Sequence, residues 1–300
     1  MRPPYRWQLR SRALELGART LIMGILNVTP DSFSDGGAFL DPQRAIQHGL
    51  QLFDQGADIV DIGGESTRPG TTVSLDASCT KPSVTAEEEL SRVMPVIDGI
   101  RRARPESILS IDTYKAHVAQ AAVKAGVEIV NDVSAFEWDV NMASLCADLQ
   151  CGVVLMHMRG KPTEWRNLAR EIDISTRVVH DLANRAQIAL DSGVEHRRIV
   201  LDPAFGFGKN FEENYPLLAH LDRLQRLGFP ILTGTSRKSF VGRSVGRRRG
   251  REDAPPPRRL YGSIAAMVIS ILGGAHIVRA HDVESAAEAA AITDEVLAVG

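Results

Sequence analysis

Eight short apolar runs recur along the chain: LIMGIL (21–26), ADIVDIG (57–63), ILSID (108–112), VEIVND (127–132), GVVLMH (152–157), RIVLD (198–202), FPILTG (229–234) and AHIVRA (275–280). Each is close to continuously apolar. That pattern marks parallel strands buried on both faces rather than strands with one wet side. Between the runs lie stretches such as DPQRAIQHGLQLFDQG, TAEEELSRVMPVIDGIRRA and YKAHVAQAAVKAG. Their apolar residues fall at helical spacing, and Gly follows several of them as a C-cap. VESAAEAAAITDEVLAV reads as a closing helix. Eight strand–helix units predict an α/β fold of the (β/α)8 TIM-barrel type, in one domain over residues 1–300. An open doubly wound sheet is the alternative.

Three segments stand outside this repeat. RWQLRSRALELGA carries two short alternating pieces within residues 1–19, which predict a hairpin capping the N-terminal mouth of the barrel. TTVSLDASCTKPSVT (71–85) is polar and aperiodic, and RSVGRRRGREDAPPPRR (243–259) is Arg-rich and then Pro-rich; both read as extended loops. A basic run of the second kind can be a nucleic-acid patch. A mobile surface loop with no part in chemistry is the reading preferred here.

Composition narrows the class. With 44% hydrophobic and 24% charged residues, the 300-residue chain is ordinary globular material. A formal net charge of −2 argues against nucleic acid as the partner of the whole chain. No run approaches a membrane span, and the Arg-rich N-terminus lacks the apolar core of a secretory signal. Cys79, Cys146 and Cys151 are odd in number and lack zinc-like pairing, so we expect reduced thiols in a cytoplasmic protein. A Cys146–Cys151 redox pair is the alternative.

In a barrel the chemistry sits at the C-terminal ends of the strands. At the ends of the runs, or in the turns that follow them, stand Asn27, Thr67 and Arg68, Asp112, Asn131 and Asp132, Met156 and His157, Asp202, Ser236-Arg237-Lys238, and Arg279 with His281. One polar residue at a strand end is usually a cap. A whole ring of carboxylates, amides and cations has no structural purpose. Asp202, Asp112 and Asn131 suit a flat heterocycle with N–H donors along one edge, since a carboxylate accepts two parallel N–H bonds. Lys238, Arg279, His281, Ser236 and Arg68 offer donors and positive charge suited to phosphate, which barrels often bind after strands seven and eight. Asn27 offers a hard oxygen for Mg²⁺ shared with phosphate. FGFGKN (205–210) lacks P-loop spacing, and no HExxH is present.

MGILNVTPDSFSDGG (23–37) and DIGGESTRPG (61–70) are followed in order by IDT, IVND, LMHM, LDPAFGFGKN, SRKS and GAHIVRAHDV. In these motifs the chain resembles the bacterial dihydropteroate synthases. The resemblance implies a pterin-binding barrel, homodimeric by family analogy. Its substrates are small molecules: it joins p-aminobenzoate to 6-hydroxymethyl-7,8-dihydropterin pyrophosphate, giving 7,8-dihydropteroate and pyrophosphate. It further implies that Asp112, Asn131, Met156, Asp202, Phe207, Lys238 and Arg279 hold the pterin. Asn27 (through Mg²⁺), Arg68, Ser236, Arg279 and His281 would hold pyrophosphate. Phe33, Thr67, Arg68, Pro69 and Ser236 would shape the p-aminobenzoate site, with Asp112, Lys238 and Arg68 as the catalytic set. Against the family pattern, Ala204 stands where Gly is usual and Tyr114 where Ser is common, and both extended loops are long. A corrinoid methyltransferase using methyltetrahydrofolate would share the Asp/Asn/Asp pocket but not NVTPDSFSDGG, STRPG or SRKS. A silent pterin-binding paralogue is the other alternative.

Overall fold

The computed structural model describes residues 2–29, 41–66 and 84–299. Its centre is a parallel sheet of eight strands: β3 (Leu21–Asn27), β4 (Ile59–Gly63), β5 (Leu109–Asp112), β6 (Ile129–Asp132), β7 (Gly152–Met156), β8 (Ile199–Asp202), β9 (Leu232–Thr233) and β10 (Ile277–Ala280). The strands follow the order β8-β7-β6-β5-β4-β3-β10-β9. A parallel bridge between Leu201 and Ile231 brings the two outer strands together, so the sheet nearly closes on itself. Each predicted run supplies one strand. The seventh contributes only Leu232 and Thr233 to the ladder, because Pro230 lacks the N–H that would extend it.

The continuous apolar runs have a direct cause. Alternate strand residues point to opposite faces, and here both faces are covered. Ile22, Leu26, Val60, Ile62, Leu109, Ile111, Val153, Leu155, Ile199 and Leu201 pack outward with the helices in the main core. Leu21, Met23, Ile59, Ile129, Val154, Val200, Leu232 and Ile277 form a second cluster with residues of the N-terminal hairpin. The outer helices are α1 (Pro42–Asp54), α2 (Ala86–Ala103), α3 (Ala116–Lys124), α4 (Met142–Leu149), α5 (Ile174–Asp191), α6 (Asn214–Ala219), α7 (Ser239–Arg248), α8 (Leu260–Leu272) and α9 (Val283–Val299).

The hairpin is where the sequence places it. β1 (Tyr5–Gln8) and β2 (Ala13–Leu16) pair antiparallel, with Tyr5 opposite Leu16. Trp7, Leu9 and Leu16 are buried against the lower interior layer, and Trp7 Nε1 donates to the Arg198 carbonyl at 2.8 Å. The hairpin therefore seals the end of the barrel opposite the predicted site.

One of the two expected loops needs correction. Residues 71–83 lie outside the described residues, but Thr85 is a helix cap: its hydroxyl accepts from Glu88 N, and the Glu88 carboxylate accepts from Thr85 N. Residues 243–248 belong to α7, and the rest of 243–259 is tied down. Ala254 N donates to Gly242 O, and Arg259, 9% exposed, donates to Ala254 O, Arg237 O and Asp253. Arg and Pro content suggests mobility only when the guanidinium groups find no partners, and here they find several. Because Arg259 holds the carbonyl of Arg237, the segment supports the SRK turn and is not a free appendage.

Trp7→Ala should destabilise the protein by about 3–5 kcal/mol, the usual cost of emptying a buried aromatic site. Chemical unfolding of the two proteins measures it. A loss below about 1 kcal/mol would show that the hairpin does not seal the barrel.

Candidate active site

The site begins two residues above the apolar layer. On the inward face Ile59 is followed by Asp61, Ile129 by Asn131, Val154 by Met156, Val200 by Asp202 and Ile277 by Arg279. Strand register brings these positions around one mouth: Gly63 pairs with Asp112, Asp112 with Asn131, and Met156 with Asp202. Arg279 Nε donates to Asp61 Oδ2 at 2.6 Å, and Arg279 Nη2 donates to Asp112 Oδ2 at 2.7 Å. Asn131 Nδ2 donates to the same Asp61 oxygen at 2.9 Å. Two acceptors in this network, Asp61 Oδ1 and Asn131 Oδ1, are buried with no protein partner among the described residues.

The turn after β8 supplies the next wall. Asp202 Oδ1 accepts from Ala204 N at 2.7 Å, and Lys209 Nζ donates to Ala204 O at 2.7 Å. Ala204 and Phe207 take φ values of 51° and 45°. Left-handed backbone of this kind costs roughly 1–2 kcal/mol per non-glycine residue. Gly208 cannot be replaced cheaply, since a Cβ there would stand 2.3 Å from the Arg159 carbonyl oxygen. The turn holds the Phe207 ring under Lys238 Nζ at 3.9 Å and edge-on to Trp165 at 5.6 Å. The two departures from the family pattern meet here: Ala204 and Tyr114 are buried together with Val133 and Met156, and Tyr114 meets Trp138 edge-on at 5.0 Å. The Ala204 methyl is buried where a glycine would leave a gap, which offsets part of its backbone cost.

The opposite rim carries donors. Ser236 Oγ accepts from His281 N at 3.2 Å and lies 3.0 Å from His281 Nδ1. With the hydroxyl proton directed to Nδ1, the remaining ring nitrogen, Nε2, carries the proton and can donate to an anion. Arg237 is turned away, paired with Asp282 through Nε and Nη2. Asn27 ends β3 beside Gly63 of β4.

Burial sets the protonation of the cluster. It pushes Asp112 up to about 7, with Arg279 opposing the rise and Asp61 adding to it. It lifts Asp202 to about 6 against the Ala204 N–H and Lys238. It lowers Lys238 to about 8, helped by the Arg279 cation, and Lys209 to about 7. Burial works against the charge on Arg279, but Asp61 and Asp112 outweigh it and hold the guanidinium above its ordinary value. His281 is driven down to about 3 by burial and then by Arg279 and Arg237. It is therefore a neutral donor at pH 7.

The structure brings Asp112, Asn131, Met156, Asp202, Phe207, Lys238, Arg279, Ser236 and His281 to this mouth, with Asn27 at its edge. Phe33, Thr67, Arg68 and Pro69 lie outside the described residues. Two buried groups escaped the sequence reading. Asp61 lies inside a run, and Lys209 lies inside FGFGKN. A carboxylate in the middle of ADIVDIG was the available signal for the first.

The family of pterin binding enzymes matches residues 23–281, and the chain belongs to it. Within that family the similarity is to dihydropteroate synthases. The Clostridium beijerinckii dihydropteroate synthase is 42% identical over 291 residues, 97% of this chain and 99% of its own. The Xanthomonas albilineans dihydropteroate synthase with 4-aminobenzoic acid superposes with a TM-score of 0.86 at 41% identity, over 99% of this chain and 100% of that one. The same enzyme in complex with 7,8-dihydropteroate gives 0.81 at 40%, over 98% and 100%.

Arg279→Met should destabilise the protein by about 3–5 kcal/mol, because it strands Asp61, which has no exposure, as an uncompensated buried charge. Guanidinium unfolding checks this. An unchanged midpoint would mean that Asp61 is not held by Arg279.

Proposed function

We propose that the chain is a transferase that condenses p-aminobenzoate with 6-hydroxymethyl-7,8-dihydropterin pyrophosphate, releasing 7,8-dihydropteroate and pyrophosphate. The observation that carries this is the division of one barrel mouth into two faces. Acceptors come from β5, β6 and β8 (the partly buried Asp112 and the buried Asn131 and Asp202), and partly buried cations come from β10 and the turn after β9 (Arg279, Lys238). The Xanthomonas albilineans relatives bound to 4-aminobenzoic acid and to 7,8-dihydropteroate supply the substrate and product classes.

In this reading the aminopyrimidine edge of the pterin donates to Asp202 and to the free Asn131 oxygen. Met156 and Phe207 line the ring, and Lys238, seated over Phe207, donates to the ring's other edge. Pyrophosphate lies between Arg279, Ser236 and the neutral His281, with Arg68 by family resemblance. Phe33, Thr67, Arg68, Pro69 and Ser236 would shape the p-aminobenzoate subsite, also by resemblance. Mg²⁺ fits the donor set. Among the described residues no three His, Cys, Asp or Glu form a cage, so Asn27 would share the ion with pyrophosphate oxygens and water. Bound there, it would neutralise charge on the leaving group.

The reaction follows from these charges. The methylene C–O bond breaks, and its electron pair leaves on pyrophosphate under the pull of Arg279. The pterin ring shares the positive charge left behind, and the Asp112 carboxylate steadies it. The neutral aniline nitrogen then forms the C–N bond and loses one proton to solvent.

A homodimer is part of the proposal. Tyr261, Ile269 and Leu272 on α8 and Ile292, Val296 and Val299 on α9 leave large apolar side chains exposed on neighbouring helices. We place the protein in the cytoplasm. Cys146 and Cys151 are free and buried, and no described helix is long and apolar enough to cross a membrane.

The decisive assay measures pyrophosphate release from the pterin pyrophosphate with and without p-aminobenzoate. Release that depends on p-aminobenzoate supports the reading. Absence of turnover together with methyl transfer from methyltetrahydrofolate to a corrinoid would replace it. A second outcome concerns pH. Asp202 and Asp112 must be ionised to accept, so kcat/KM should fall as pH drops through about 7 to about 6. Lys238 must be protonated to donate, so kcat/KM should fall again above about 8. A profile flat from pH 5.5 to 9 would contradict these assignments.

A further inference from the structure

We propose that Asp61 is the positioning residue of the pterin pocket: it fixes which atom the Asn131 amide presents to the ring and where the Arg279 guanidinium lies. The proposal rests on the pterin-binding reading above. No motif role assigns Asp61, since it lies in the middle of β4 rather than at its end, with Val60 and Ile62 buried on either side.

One oxygen does both tasks. Asp61 Oδ2 accepts from Asn131 Nδ2 at 2.9 Å and from Arg279 Nε at 2.6 Å. An amide can face either way, and its two orientations are opposite in hydrogen-bond character. Turned over, Asn131 would set its carbonyl oxygen against a buried carboxylate and leave both without a donor. The Asp61 carboxylate therefore commits the amide nitrogen and leaves Asn131 Oδ1 as the free group. That oxygen is buried and unpaired, as is Asp61 Oδ1. Buried acceptors without partners are costly, so the pocket favours a ligand edge built of N–H donors and disfavours one built of carbonyls. Asp202 alone does not encode this preference at the Asn131 side. Arg279 is held likewise: with Nε on Asp61 and Nη2 on Asp112, its fork is fixed at two points and its remaining N–H groups are left for the leaving group.

A merely structural ion pair would predict something different. It would make Asp61 matter for stability but not for discrimination among ligands in the folded protein. The test therefore reads a ratio of affinities. A 7,8-dihydropterin and its analogue with a 2-oxo group in place of the 2-amino group are titrated calorimetrically into wild type, Asp61→Asn and Asn131→Ala. We expect wild type to prefer the 2-amino ring. We expect Asp61→Asn to lose at least about tenfold of that preference, about 1.4 kcal/mol. In the Asn131→Ala background, Asp61→Asn should change the ratio little further, because the route through the amide is already gone. Thermal melts identify a variant that does not fold. In that case Asn131→Ala, which keeps the Asp61–Arg279 pair, decides the matter, and it too must lose the preference. Failure of wild type to bind either ring would sink the pterin reading itself. An unaltered ratio in folded Asp61→Asn or in Asn131→Ala would overturn the proposal while leaving that reading intact.

Discussion

A guanidinium cannot sit inside a barrel without carboxylates, and this one has two. Arg279 lies on β10, Asp61 on β4 and Asp112 on β5, so the ion pairs bridge the barrel interior between strands that do not neighbour one another in every case. Replacing such a triad with apolar side chains often leaves stability unchanged or improves it. Its presence is better explained by what it arranges than by what it stabilises. It fixes charge in place before any substrate arrives, and preorganised charge needs no rearrangement when the leaving group departs.

The layer beneath makes that arrangement possible. Leu21, Met23, Ile59, Ile129, Val154, Val200, Leu232 and Ile277 fill the barrel under the polar ring, and Trp7 and Leu9 seal the far end. Among the described residues this layer and the hairpin close the floor of the ring. Desolvation is the leading cause of every large shift in the ring, raising Asp112 and Asp202 and lowering Lys238. The hairpin, far from the chemistry, thus belongs to the same physical system as the acids and bases it never touches.

Much of this was legible in the sequence. Apolar runs without alternation gave the strands, because both faces of each strand are buried. Looking at the ends of the runs and the turns after them gave Asp112, Asn131, Met156, Asp202, Ser236, Lys238, Arg279 and His281, because a barrel aims those positions at one mouth. The same rule hid Asp61: an inward position in mid-strand reads as core, and beyond the lone carboxylate in the run it takes the register with Ile25 and Ser110 to show that the polar layer dips there. The Arg/Pro segment was misread because composition does not reveal that Arg259 reaches the Arg237 carbonyl. That His281 serves as a neutral donor was not legible, because its burial beside Arg279 is a tertiary fact.

Once the faces are known, the orientation of the substrate follows from electrostatics alone. Acceptors stand on β4, β5, β6 and β8 on one side, and donors stand on β10 and in the turns after β9 and β10 on the other. A molecule with N–H donors at one end and an anion at the other has one favourable way to lie across such a mouth. Reversed, it would set pyrophosphate against Asp112 and Asp202, and like charges in a water-poor site repel strongly. The methylene that joins the two ends must then fall where the faces meet, beside Arg279 and Asp112. Lys238 and His281 sharpen this division by different means. Lys238 stays cationic at neutral pH yet close to losing its proton, so it can serve the ring edge without adding another firm charge. His281 stays neutral, so it donates to the anion without opposing Arg279. The ring is thus graded in charge, and the grading places the bond to be broken where Arg279 bridges Asp61 and Asp112.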